Sequence, residues 1–287
     1  MKKFLMTLML AGVLGLWMAT PASAGPIILG GDDLNDHGFR SGNTNQLGWL
    51  YIQNAIASIN ANVTRAGASG IAVLGSSNPG AGNYPVNGGG AINSVANVLG
   101  LNLTFYEGAP NINSFFAQLA AGMINPAIIY SPGNETVNSL DSSEGAALTA
   151  NAAAINNFVA SGGGLMSHGG ANLTVYGYLS VLLPGIAFSP NCSAGPGATL
   201  TAAGQAAFPT VTNTDINAGP CHGTFSGNFG GLTALALDAQ ARPFIIGGLG
   251  GSITEPPPSA VPEPATMILL GTGLAGIAAK VRRRRKQ

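Results

Sequence analysis

Between residues 26 and 168, short apolar runs alternate with stretches whose apolar positions recur every three or four residues. The runs at 26–30, 71–75, 103–106, 127–130 and 165–167 predict five strands, since each is too short for a helix and is bounded by polar residues or glycine. Trp49, Ile52, Ile56 and Ile59 predict a helix over 44–60, and Ile92, Val95, Ala96 and Leu99 form the stripe of a second. Asn111 is placed to cap a third, with Ile112, Phe115, Phe116 and Leu119 along its buried face. Asp141-x-x-Glu144 is a variant of the capping box and opens a helix carrying Leu148, Ile155, Phe158 and Val159. The glycines at 162–164 end that helix, because glycine readily takes the left-handed conformation of a C-cap. Five strands, each followed by a helix, predict an α/β domain with a mostly parallel sheet and helices on both faces.

The pattern weakens after residue 184, where loops rich in Pro, Gly and Asn carry both cysteines. The runs at 232–237 and 244–248 read as a closing hairpin or edge strands. A proline-rich stretch over 255–260 is a stiff spacer. The domain therefore spans 25–254.

Both ends of the chain follow other rules. Lys2 and Lys3, an apolar stretch over 4–18 and the small-residue triplet Ala22-Ser23-Ala24 have the layout of a signal peptide over 1–24, cleaved before Gly25. At the other end, Pro262-Glu263-Pro264 precedes an apolar run over 265–279 and a cluster of six cations at 280–286. Fifteen helical residues rise only about 22 Å. Extending the helix to about 281, with the arginines snorkelling, lets it span a thin membrane with its basic end in the cytoplasm.

Charge is scarce and segregated. Only 8% of residues are charged, against about 25% in ordinary soluble domains. Residues 25–260 hold three basic side chains (Arg40, Arg65 and Arg242) against ten acidic ones. Such a middle region cannot neutralise phosphates, so a nucleic-acid partner is not expected. Cys192 and Cys221 lie in an exported region, where two thiols predict a disulfide rather than a metal site.

Residues 261–287, with the Pro-Glu-Pro triplet, the apolar helix and the arginine cluster in that order, closely resemble the PEP-CTERM sorting signal. The resemblance implies a precursor held in the bacterial inner membrane and an exosortase as processing partner. It further implies removal of the tail and release to the cell surface or to extracellular polysaccharide. Residues 158–169, Phe-Val-Ala-Ser-Gly-Gly-Gly-Leu-Met-Ser-His-Gly, resemble a segment of ThuA-like proteins, although the histidine is displaced by one residue. Those proteins belong to the class I glutamine-amidotransferase-like superfamily, so this resemblance implies a three-layer flavodoxin-like sheet. Ser167-His168 stands where the amidotransferases carry a catalytic cysteine, and no thiol-based glutaminase chemistry is implied.

Open parallel sheets bind ligands beyond the carboxyl ends of their strands. Asp33 follows the first strand, Glu107 the third and Ser167-His168 the fifth, while His222 lies in a loop able to return to that edge. These are the candidates for acid–base work or for hydrogen bonding to sugar hydroxyls. Asp32, Asp33 and Asp36 offer oxygen ligands, but their spacing does not match a calcium loop, and no metal or other cofactor is expected. Gly164-x-x-Ser167-x-Gly169 lacks the spacing of a nucleophile elbow. The sequence thus favours an exported, exosortase-sorted surface or matrix protein, non-catalytic and associated with exopolysaccharide. The alternative is an exported carbohydrate-active hydrolase that uses the polar edge.

Overall fold

The computed structural model describes residues 24–133, 138–170, 173–190, 197–219 and 223–248. The expected signal peptide except for Ala24, both cysteines, His222, the proline-rich spacer and the tail lie outside the described residues. The chain divides into two units, residues 1–253 and 254–287, and everything described here belongs to the first.

The chain opens with β1 (Ile27–Gly30), then a hairpin of β2 (Gly38–Ser41) and β3 (Thr44–Leu47), then α1 (Gly48–Asn62). The alternating units β4 (Ile71–Leu74), α2 (Gly88–Leu99), β5 (Leu103–Tyr106), α3 (Ala109–Ala120) and β6 (Ile128–Ser131) follow. Next come α4 (Ser142–Ala150), α5 (Ala152–Ala160), β7 (Gly164–His168), a 3-10 turn (Leu173–Tyr176) and the single-turn α6 (Leu179–Leu182). The C-terminal part holds β8 (Ile186–Ser189), β9 (Thr199–Leu200), the short α7 (Ala202–Ala207) and α8 (Asn213–Ile216), β10 (Thr224–Gly227), β11 (Thr233–Leu237) and β12 (Pro243–Gly248).

Eight strands form one sheet in the order β5-β4-β6-β7-β1-β12-β11-β9. The first five are mutually parallel, as the α/β pattern predicts, and the last three are antiparallel. A flavodoxin-like sheet runs 2-1-3-4-5. Here that order is met only by counting β1 last, beside β7, so the fold departs from the expected topology by where its first strand sits. The runs at 232–237 and 244–248 form the expected hairpin, β11 and β12, and β12 lies inside the sheet because its other side pairs with β1.

Every residue of β1, β4, β6 and β7 is buried, which is why these strands read as continuous apolar runs rather than alternating ones. Ile28, Val73, Ile128 and Met166 pack under α1 and α2 with Trp49, Ile52, Ile92 and Val95. Leu29, Leu74, Ile129 and Leu165 pack on the opposite face with Phe115, Leu148, Ile155 and Phe158 of α3, α4 and α5.

Three local expectations need correction. Residues 44–47 are a strand, not the first turn of α1, because they pair with β2, and the backbone turns into the helix through Leu47 at φ 54°. Gly108, not Asn111, is the N-cap of α3, and Pro110 sits in its first turn, where its missing N–H costs nothing. The stretch expected as one helix after Asp141 is two, broken at Asn151. The capping box itself forms: Asp141 accepts from the Glu144 N–H at 2.8 Å, and Glu144 accepts from the Asp141 N–H at 2.7 Å. Gly162 then ends α5 region at φ 90°, a conformation that L side chains resist.

Candidate functional site

Strands β7 and β1 lie side by side in register, with His168 opposite Gly30 at their carboxyl ends. Asp32, two residues beyond β1, folds back over this pair. A Cβ on Gly30 would stand 1.8 Å from Asp32 Oδ2, so only glycine leaves room for the carboxylate there. His168 Nδ1 donates to Asp32 Oδ1 at 2.7 Å, and the Leu34 N–H donates to the same oxygen at 3.1 Å. Both side chains are fully buried. The pair lies where the connection after β1 leaves for one face of the sheet and that after β7 for the other. Such a change of face at the carboxyl ends of neighbouring strands marks the usual ligand position of an open α/β sheet.

Two tyrosines complete the surroundings. Tyr51, from the first turn of α1, meets the His168 ring edge-on at a centroid distance of 6.2 Å, and Tyr130 of β6 does so at 5.5 Å. Burial, reinforced by the Asp32 charge, pushes both phenols well above their ordinary range, so they stay neutral donors. His168 Nε2, Asp32 Oδ2 and both phenol oxygens are buried without a hydrogen-bond partner among the described residues. Buried polar atoms are nearly always paired, so this cluster is the most unusual polar feature of the domain. Chemically, an imidazole oriented by a carboxylate presents one ring nitrogen beside two phenolic donors, an arrangement suited to hydrogen bonding or proton transfer.

The other residues expected at this edge are not gathered here. Asp33 turns away from Asp32, and its Oδ2 lies 3.3 Å from His37 Nε2. Asp36 Oδ1 lies 3.6 Å from the same nitrogen, so Asp33, Asp36 and His37 bring one ligand atom each within 4.8 Å of one another. Asp32 belongs to His168 and not to that group. Glu107 is exposed beyond β5, and its carboxyl is raised by partial burial and then by the charges of Glu144 and Asp141. Ser167 is buried on the face opposite His168, since successive strand residues point to opposite sides. The main-chain carbonyls of Gly30 and Ser167 lie 2.6 and 2.8 Å from the Tyr176 hydroxyl, which ties β1 to β7 from that opposite face. His222 and the Cys192–Cys221 pair lie outside the described residues.

Sequence reasoning found His168 but gave Asp32 only to a calcium group, and it passed over Tyr51 and Tyr130. Tyr51 reads as a residue beside a helical stripe and Tyr130 as the end of an apolar strand. Only the adjacency of β1, β6 and β7 brings all four together, and no sequence signal carries that adjacency.

Comparison with known proteins identifies one segment. Residues 260–285 match the PEP-CTERM protein-sorting motif, which indicates exosortase-dependent export to the cell surface by way of a membrane-anchored precursor. No curated protein matches the chain, and no solved structure does. Among the described residues no helix is long and apolar enough to cross a membrane.

Proposed function

We propose that the chain is the precursor of a surface or extracellular-matrix protein whose domain over 25–254 is non-catalytic and associates with exopolysaccharide. The sorting motif over 260–285 carries this reading. On it, the signal peptide over 1–24 directs export, and the apolar helix over about 265–281 holds the precursor in the inner membrane. An exosortase then reads Pro262-Glu263-Pro264 and removes the tail. Cys192 and Cys221 pair as a disulfide once exported, in keeping with an oxidising compartment. The charge-poor domain and the dispersal of Asp33, Glu107 and Ser167 away from His168 support a binding role over catalysis. The ThuA-like resemblance of 158–169 bears on fold alone.

Glu263→Ala tests the sorting step. The expected outcome, followed by immunoblotting of membrane and culture fractions, is a precursor retained in the inner membrane with its tail attached, while the unaltered chain loses its tail and leaves the cell. Retention of both with their tails attached would leave 261–287 a plain anchor, and equal processing and release of both would show that the Pro-Glu-Pro triplet is not what the processing enzyme reads.

A second reading, an exported carbohydrate-active hydrolase, draws on one observation: the buried Asp32–His168 pair with its two phenolic neighbours. It requires that His168→Asn abolish release of reducing ends from the cells' own polysaccharide while the domain stays folded. No release by the unaltered protein would dismiss it.

A further inference from the structure

The sheet ends at β5, which pairs with β4 on one side only. Its sequence, Leu-Thr-Phe-Tyr, is strongly strand-forming and carries none of the charges or prolines that usually protect an edge. A cleft lies on each face of this strand. One, of about 290 Å³, is lined by Ser69, Asn102, Thr104, Tyr106 and Asn125. The other, of about 270 Å³, is lined by Asn78, Asn93, Asn97, Asn102 and Phe105. The alternation of side chains along β5 sends Thr104 and Tyr106 to one cleft and Leu103 and Phe105 to the other. Asn102, just before the strand, lines both clefts.

Uncharged polar residues share this belt with apolar ones, Ile71, Phe115 and Ile124 in the first cleft and Leu101 and Leu103 in the second. No charged residue lines either cleft. Each contains an aromatic ring that is neither fully buried nor fully exposed, Tyr106 in one and Phe105 in the other. Part of the amide set is used within the protein: Asn125 donates to the Ala66 carbonyl, and Asn93 donates to those of Gly80 and Asn83. Asn97, Asn102, Thr104 and Tyr106 make no side-chain hydrogen bond among the described residues and are available to a ligand. A carboxamide offers a donor and an acceptor side by side, which matches neighbouring hydroxyls of a sugar, and an aromatic face covers the apolar C–H face of the ring.

We propose that this belt around β5 is the polysaccharide-binding site of the domain, and that its ligand is a neutral glycan long enough to engage both clefts. The proposal rests on the reading of the protein as associated with exopolysaccharide and adds the place and the charge class of the ligand. An acidic glycan gains little from clefts that no cation lines, since Arg65 behind the first is already held by Asn125 and Ser161, in a domain where nine acidic residues oppose three basic ones. A second copy pairing along β5 would gain few main-chain bonds from a four-residue strand and would leave the amides of both clefts unused.

The test uses the full-length protein and polysaccharide recovered from the producing cells, separated into neutral and acidic fractions. Affinity electrophoresis is expected to show retardation by the neutral fraction. Asn97→Asp and Asn102→Asp, both at exposed positions, are each expected to weaken binding tenfold or more with unchanged melting temperature. Gln205→Glu, beside β9 at the other end of the sheet, is expected to leave binding unchanged. Retardation of the unaltered protein with no loss in the two asparagine variants would overturn the β5 site and leave polysaccharide association standing. Absence of retardation by either fraction would overturn both. Binding confined to the acidic fraction would overturn the neutral-ligand assignment. Dimers in sedimentation that dissociate in Asn102→Asp would give the edge to a second copy.

Discussion

Asp32 and Asp33 are neighbours in one loop, yet they serve two histidines in opposite ways. Asp32 reaches a partner 136 residues away, and the pair is sealed from solvent between β1 and β7. Asp33 pairs with His37 four residues on, whose side chain keeps 30% exposure. The first pair closes a long loop and loses its hydration, so each partner depends on the other. The second forms within the turn and stays partly wet, so solvent replaces much of what it gives. The same residue types thus make a tertiary clamp in one case and a local turn contact in the other.

Removing one partner of each pair is the sharpest way to separate them. Asp32→Ala leaves His168 buried without its carboxylate, and breaking a buried pair in this way costs about 3–5 kcal/mol. For a domain of this size the melting temperature is expected to fall by roughly 10 °C. Denaturant unfolding of Asp32→Ala and His37→Gln side by side checks the contrast. Equal losses would mean that burial does not distinguish the two pairs.

A smaller effect is expected from Gly30→Ala. The added methyl meets Asp32 Oδ2, and overpacking of this kind costs about 1–3 kcal/mol. The cost should shrink in an Asp32→Ala background, because the clashing atom is gone, and a double-mutant cycle measures that coupling. Strict additivity would show that Gly30 is required for some reason other than the carboxylate above it.

The smallest effect belongs to His37. The hydrogen bond to Asp33 raises its pKa, burial opposes this, and the charges of Asp33 and Asp36 add to the rise. A histidine with a raised folded pKa stabilises the fold fully below its unfolded value of about 6.5, and loses that contribution as pH climbs through the folded value. The difference in stability between the unaltered protein and His37→Gln should therefore stay under about 1 kcal/mol at low pH, after screening by solvent, and vanish in mildly alkaline buffer. A titration of the His37 ring by NMR with its midpoint at or below the ordinary value would contradict the pairing.

The inner strands of the parallel half were legible because burial on both faces favours an apolar run, as in Ile27–Gly30 and Ile71–Leu74. The cap of α4 was legible because Asp141 and Glu144 satisfy each other's backbone within one turn. The β2–β3 hairpin was missed because Gly38–Ser41 and Thr44–Leu47 are mostly polar and have no apolar alternation to announce them. Of the four residues of the candidate site only His168 was legible as a site residue, since it stands at the end of a strand. Its partner was not, because pairing across 136 residues depends on strand order.

Taken alone, the sequence determined what is encoded locally: the sorting motif at 260–285, the scarcity of charge, the parallel α/β pattern and the helix cap at Asp141. Each depends on residues close together along the chain, where spacing and residue type carry the physics. Tertiary structure alone decided that β1 lies between β7 and β12. From that placement follow the Asp32–His168 clamp, its two tyrosine neighbours and the separation of Asp33 from them. Strand order reflects the packing of two whole helical layers against the sheet, a sum over contacts distant in sequence, and no short window of residues contains it.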